Sequence, residues 1–87
     1  MKEAVILSTA RTPIAKAFRG AFNTIKSPTM ASHAIRAAVE RAGIEAGEIE
    51  DLVMGAALTS GTAGLNLARM AALASGLPLS VSGQTLD

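Results

Sequence analysis

The spacing of apolar positions changes several times along the chain, and each change marks an element. Ala4 to Leu7 is a continuous apolar run with β-branched Val5 and Ile6, which predicts a short strand buried on both faces. Ser8 to Lys26 has no clear period and carries Pro13, Gly20 and Asn23. A connection of that length inside a compact domain is as a rule functional or interface-forming. Ser27-Pro28 predicts a helix start, with Ser27 as N-cap and Pro28 in the first helical position. Ala31, Ile35, Ala38 and Ala42 recur at spacings of four, three and four and define one apolar face. Ser32, His33, Arg36 and Glu40 fall on the other side, where Arg36 and Glu40 can pair weakly across one turn. Gly43 fits the left-handed position that closes a helix.

Beyond the acidic turn Glu45 to Glu50, the run from Asp51 to Ala57 predicts a second buried strand. A Gly/Thr/Ser loop from Thr59 to Gly64 leads to a second helix, Leu67 to Ser75, stopped by Gly76-Leu77-Pro78. This helix is apolar all round except for Arg69, the pattern of a helix buried on every side. In a domain this small, such burial needs a partner. Ala68, Ala71, Ala72 and Ser75 form a small-residue stripe along which another backbone can come close. Val81 to Leu86 predicts a third strand. The order β-α-β-α-β places the chain in the α/β class with parallel pairing.

Composition sharpens this picture. Eighty-seven residues make at most one small domain, and a chain of that size buries only about 60–65% of its unfolded surface. Yet 49% of the residues are hydrophobic and 17% are charged, with a mean hydropathy of +0.38. So apolar a surface expects cover from more polypeptide or another subunit. Phe18 and Phe22 are the only aromatic residues, so the core is aliphatic. The net charge of +1 gives no general argument for nucleic acid or membrane partners, and neither is expected. Charge is nevertheless uneven: Arg11 to Arg36 holds five basic residues and no acid, whereas Glu40 to Asp51 holds five acids and one base. The absence of cysteine excludes disulfides and thiolate metal sites within these residues, and a single histidine, His33, argues against a metal centre. The N-terminal apolar run is too short for a signal peptide, and no stretch approaches the roughly 18 apolar residues of a membrane span, so the cytoplasm is the expected location.

Candidate chemistry is sparse. Gly55, Gly61 and Gly64 follow a strand, but their spacing fits neither a dinucleotide fingerprint nor a phosphate loop; a flexible turn is the simpler reading, and a backbone anion site at the second helix the alternative. Arg11, Lys16, Arg19 and Lys26 form either an anion patch suited to a phosphate-bearing substrate or a set of solvated or intersubunit charges. His33 has no nucleophile paired with it in the sequence and reads as a surface residue. Ser8, Ser60, Ser80 and Ser82 lie outside any G-x-S-x-G elbow and read as caps and polar filler. Arg69 is the unusual charge. On an apolar helix it either points out of the core or clamps carbonyls or a carboxylate at an interface, and the clamp is the preferred reading.

Several blocks in register carry a family resemblance. Arg11-Thr12-Pro13-Ile14 followed by Lys16 and then Arg19-Gly20-Ala21-Phe22 resembles the first loop of the thiolases. Val53-Met54-Gly55, the Gly-rich turn, Asn66-Leu67-Ala68-Arg69, the Ala-rich helix and Gly76-Leu77-Pro78 match that family's next stretch in the same order. Gly83-Gln84-Thr85-Leu86-Asp87 resembles the strand leading to its nucleophile. The chain departs from the family's usual residues at Ala15, Leu65 and Asp87, where Gly, Gln and Asn are frequent.

The resemblance implies that residues 1–87 are the beginning of the N-terminal half-domain of a layered α/β/α/β/α fold, ending just before the expected nucleophile. It implies a parent acyl-CoA C-acyltransferase that makes or cleaves 3-ketoacyl-CoA through a cysteine acyl-enzyme. Coenzyme A thioesters would be its substrates, with no covalently bound cofactor, in a homo-oligomer (dimer or tetramer). The second helix resembles the segment that packs at the thiolase dimer interface. No residue of this chain receives a catalytic, cofactor-binding or metal role by transfer, and its expected contribution is scaffold. A related condensing enzyme of the same superfamily and a non-catalytic α/β interaction module are the competing readings. The apolar surface predicts that the isolated 87-residue chain associates, so light scattering should give a mass above the 8.8 kDa monomer, rising with concentration.

Overall fold

In a computed structural model of the chain, residues 2–13, 25–57, 63–64 and 66–86 are described. They form helix α1 (Ser27–Ala42), a single 3-10 turn (Ala46–Glu48), strand β1 (Asp51–Gly55), helix α2 (Leu67–Ala74) and strand β2 (Ser82–Leu86). The strands pair in parallel, Asp51 opposite Ser82 through Gly55 opposite Leu86. Parallel neighbours need a crossover connection, and α2 is that connection. The α/β class is therefore as the pattern predicts. The two strands lie within a residue or two of their expected bounds.

The predicted strand at Ala4 to Leu7 has no ladder. Val5, Ile6 and Leu7 are 71%, 84% and 64% exposed. An extended segment becomes a strand only beside a partner edge, and none flanks this run among the described residues. What tethers the segment is polar. The Ser8 hydroxyl donates to the Ala38 carbonyl, and Arg41 Nη1 donates to the Thr9 carbonyl at 2.9 Å.

Helix α1 begins one residue earlier than the Ser27 N-cap predicts. Lys26 is the flanking residue, in an extended conformation, and Pro28 sits in the first turn. The helix closes as expected on Gly43, whose φ of 70° lets its N–H turn back to the Glu40 carbonyl. Its covered face is rotated from the predicted one. Ser32, expected on the polar side, is buried, because it shares a stripe with Ile35 and Val39, which pack on the core. Its hydroxyl is satisfied locally, donating to the Thr29 carbonyl at 2.7 Å, so burial leaves no orphaned group. Arg36, expected to pair with Glu40, instead turns toward α2: Nη2 donates to the Ala74 carbonyl at 2.6 Å and Nε to the Ser75 carbonyl at 3.3 Å. Those carbonyls end α2 and lack intrahelical partners, so a cation there also complements the helix dipole.

Helix α2 lies between α1 and the sheet. Leu67, Ala68, Ala71 and Ala72 are buried, while Met70 and Leu73 remain 46% and 44% exposed. One face of this apolar helix is thus covered within the chain and the other is open, so the all-round burial its composition predicts is not reached here. The core cluster is Ala72, Leu77 and Val81, flanked by Ile35, Val39, Ala46, Ile49 and Leu52. Val81 is the largest fully buried side chain, so the core is small and dominated by alanine. Along both strands alternate residues face α2, leaving Val53 and Leu86 on the open face of the sheet.

The small-residue stripe of α2 does receive a backbone, and it is the chain's own. A Cβ added at Gly83 would stand 2.8 Å from the Arg69 nitrogen and 2.9 Å from its Cα. Gly83→Ala is therefore expected to cost roughly 1–3 kcal/mol, since backbone cannot step aside as a side chain can. Gly47→Ala, where an added Cβ meets nothing within 4 Å, is the control expected to stay within about 0.5 kcal/mol. Urea unfolding of both variants beside the unsubstituted protein measures the contrast.

Candidate functional site

Two places stand out as candidates: a largely apolar groove beside α1 and the polar seam between α2 and β2. The groove has a volume of about 330 Å³. Ala10, Pro13, Ile25, Met30, Ala34 and Ala37 give it an apolar lining, and Arg11, His33 and Arg41 also border it. Such a surface can take an apolar group that ends in negative charge. It assembles only part of the predicted anion patch. Arg11 is there, whereas Lys26 flanks the start of α1 and is not in the lining; Lys16 and Arg19 lie outside the described residues. Arg41, assigned no role by the sequence reading, joins Arg11 because α1 carries it back past Thr9.

Ser8 and Ser82 both make hydrogen bonds that join elements of the fold. Ser8 tethers the N-terminal segment to α1. The Ser82 hydroxyl lies 2.7 Å from Asp51 Oδ1 and joins the first residues of the paired strands. Asp51 Oδ1 also accepts from the Leu52 N–H at 2.9 Å. Ser80 is exposed in the turn before β2, and Ser60 lies outside the described residues. His33 is exposed on the groove wall. Gly55 ends β1, Gly64 belongs to the turn before α2, and Gly61 lies outside the described residues. No cluster of metal-ligating side chains occurs among the described residues.

The seam is a ladder of side-chain hydrogen bonds along one edge of β2. Arg69 Nη1 donates to the Val81 carbonyl, and Nη2 donates to the Leu79 carbonyl at 3.2 Å. The predicted carbonyl clamp is therefore real, and both of its carbonyls belong to this chain. Asn66 Nδ2 donates to the Gly83 carbonyl at 3.2 Å. The Thr85 hydroxyl donates to Asn66 Oδ1 at 2.8 Å and accepts from the Ala68 N–H at 2.9 Å. Asn66 Oδ1 also accepts from the Arg69 N–H at 3.4 Å. The carbonyls of Leu79 and Val81 in the turn before β2, and Gly83 and Thr85 within it, are thus each held from the first turn of α2.

The same bonds cap α2. Ala68 and Arg69 carry two of the N–H groups that a helix leaves unpaired at its start, and Thr85 and Asn66 accept from them. Asn66 reaches its partners from a left-handed backbone, φ 55° and ψ 75°, which asparagine tolerates better than most residues. Sequence reasoning missed both side chains. Asn66 is legible as a cap candidate before an apolar run, but nothing local to Thr85 points to a helix start 17 residues away.

Comparison with known proteins gives a consistent picture. The family model described as the N-terminal domain of thiolases matches residues 4–87. The 3-ketoacyl-CoA thiolase of Bacillus subtilis is 39% identical over 87 residues, 100% of this chain and 22% of that protein. The acetyl-CoA acetyltransferase of Cupriavidus necator is 40% identical over the same length, with the same shares covered. Among solved structures, a thiolase from Ascaris suum crystallised in complex with coenzyme A superposes with a TM-score of 0.85 at 32% identity. That superposition covers 93% of this chain and 21% of the Ascaris chain. The chain therefore spans about a fifth of the length of the relatives it matches.

The clamp gives a direct test of the seam. Arg69→Leu leaves the Val81 and Leu79 carbonyls without their donor and is expected to cost roughly 1–3 kcal/mol. Arg69→Lys should recover only part of that, because an ammonium cannot reproduce the fork. Thermal unfolding of the two variants ranks them.

Proposed function

The chain belongs to the thiolase family through its N-terminal domain, and on that premise we propose that its parent polypeptide is an acyl-CoA C-acyltransferase. The observation that supports this most is the match of the thiolase N-terminal model over residues 4–87. A TM-score of 0.85 to a thiolase crystallised with coenzyme A adds to it. Coenzyme A thioesters are the proposed substrates and no covalently bound cofactor is invoked. A cytoplasmic homo-oligomer, dimeric or tetrameric, acting in fatty acid metabolism completes the reading. No helix among the described residues is long and apolar enough to cross a membrane.

The proposed chemistry is thioester exchange. A cysteine thiolate attacks the carbonyl carbon of an acyl-CoA, the carbon–sulfur bond to coenzyme A breaks, and the departing thiolate takes up a proton. A second acyl-CoA then gives up its carbon-two proton to a base, and the resulting enolate attacks the acyl-enzyme. The 3-ketoacyl-CoA is released and the cysteine thiolate re-forms; thiolysis is the reverse. Oxyanion donors stabilise the tetrahedral and enolate charges. None of these groups is a cysteine of the present chain, which has none. We assign residues 1–87 to the scaffold of an N-terminal half-domain, with the nucleophile in the segment that follows β2. The exposed face of the two-stranded sheet, with Val53 at 57% and Leu86 at 51% exposure, fits a scaffold that further polypeptide covers.

The purified full-length polypeptide, given acetoacetyl-CoA and coenzyme A, is expected to form acetyl-CoA. Intact-mass spectrometry after acid quench should find one acyl group on a cysteine. The 87-residue chain alone is expected to do neither. A full-length protein that exchanges no thioester, across short and long 3-ketoacyl chains, would refute the assignment.

A further inference from the structure

We propose that Thr85 and Asn66 are positioning residues for acyl transfer, fixing the end of β2, and with it the reacting thiolate, against the first turn of α2. The inference rests on the thiolase reading, in which the nucleophile follows β2.

The hydrogen bonds are concentrated where that role needs them. The entry of β2 is held by the Arg69 clamp and by the Val81 N–H donating to the Pro78 carbonyl at 3.0 Å. Toward its exit, Thr85 and Asn66 together make four bonds spanning Gly83, Thr85, Ala68 and Arg69. At the last residue of the strand, the Ala56 N–H donates to the Leu86 carbonyl at 2.7 Å and ties it to β1. The strand end is thus referenced both to its neighbour and to the helix.

Stability alone does not account for this arrangement. Asn66 is exposed, and its cap on the Arg69 N–H accounts for only a modest stabilisation. A capping residue ordinarily has extended backbone, so the left-handed conformation of Asn66 is not required for capping. It lets one side chain accept from Thr85 and the Arg69 N–H while donating to the Gly83 carbonyl. The Thr85 hydroxyl is used as both donor and acceptor, which fixes its rotamer. Gly83 brings the two backbones close enough for short side chains to span the gap. The result constrains sliding of the strand along the helix, a displacement that non-directional apolar burial does not itself fix and a nucleophile does not tolerate.

The test uses the full-length polypeptide and thiolysis of acetoacetyl-CoA. Thr85→Val keeps the shape and removes the hydroxyl, Thr85→Ser restores the hydroxyl, and Asn66→Gly keeps the left-handed backbone without the side chain. Thr85→Val and Asn66→Gly are expected to lower kcat by about 10- to 100-fold, the scale of a small misplacement of reacting groups. KM for acetoacetyl-CoA should stay within about two-fold, since acyl-CoA binding is not what is disturbed. Thr85→Ser should return kcat to within about three-fold of the unsubstituted protein, and the Thr85→Val, Asn66→Gly double variant should be no slower than the worse single, as for residues acting as a unit. Circular dichroism at the assay temperature gives the folded fraction. If Thr85→Val does not fold, Asn66→Gly carries the comparison. Positioning is overturned if kcat is unchanged, if its loss merely follows the unfolded fraction, or if Thr85→Ser is as slow as Thr85→Val. An unsubstituted protein with no thiolysis removes the thiolase reading and this inference with it; a thiolytic protein indifferent to these substitutions removes this inference alone.

Discussion

The structure depends on one close approach, the backbone of β2 at Gly83 against the first turn of α2. With no Cβ at Gly83 and alanine at position 68, the strand comes near enough that a methyl group at position 83 would overlap the Arg69 backbone. Only at that separation can side chains as short as those of threonine and asparagine join the two elements. A larger residue at either point would push strand and helix apart and leave the helix N–H groups to water. Close packing and the polar ladder are therefore one feature: the small residues create the gap, and the hydrogen bonds fix the sliding coordinate within it.

Everything else is arranged around α2. On one side α1 supplies Ile35 and Val39 to the core and Arg36 to the last carbonyls of α2. On the other side lies the sheet, whose Leu52 reaches the same core. The apolar interior is thin, since Val81 is its largest fully buried side chain and alanines make up much of the rest. Alanine burial yields little free energy per residue, so directional polar contacts at both ends of α2 define the geometry that a larger core would otherwise impose. The remaining apolar surface, Met70, Leu73, Leu79 and the outer face of the sheet, is exposed. A parallel sheet with one bare face is half of a layered arrangement.

Much of this was legible in the sequence, and the misses share a cause. Helix bounds, the left-handed Gly43, both paired strands and the crossover helix follow from period, caps and breakers, which are local signals. The Arg69 clamp is legible as the preferred of two readings, since a guanidinium on an apolar helix either leaves the core or finds oxygens, and the oxygens it finds are carbonyls of this chain. The strand expected at Ala4 to Leu7 was not realised, because composition supplies β propensity but not a neighbouring edge. Polarity alone puts Ser32 on the solvent face, whereas a hydroxyl that bonds the carbonyl three residues back is buried without penalty. The one-turn spacing of Arg36 and Glu40 allows a weak pair, but the partners of Arg36 lie 38 and 39 residues away. Thr85 carried no local signal at all. Pairings across such separations are set by the fold, and periodicity does not encode them.

That last class of residue bears on how a scaffold contributes to chemistry. A strand held by apolar burial alone has no directional contact that marks its axial position, because that attraction follows buried area and not alignment. A hydrogen bond to a hydroxyl held at both donor and acceptor loses alignment over the same distance. The seam of this chain places its short polar side chains toward the exit of β2, where an axial shift would pass directly into whatever follows. Reactive groups require placement to within about half an ångström of the productive geometry, with supporting residues whose own rotamers are locked. A segment can meet that requirement for a reactive group that lies outside it, and among the described residues Asn66 with Thr85 has the geometry to do so.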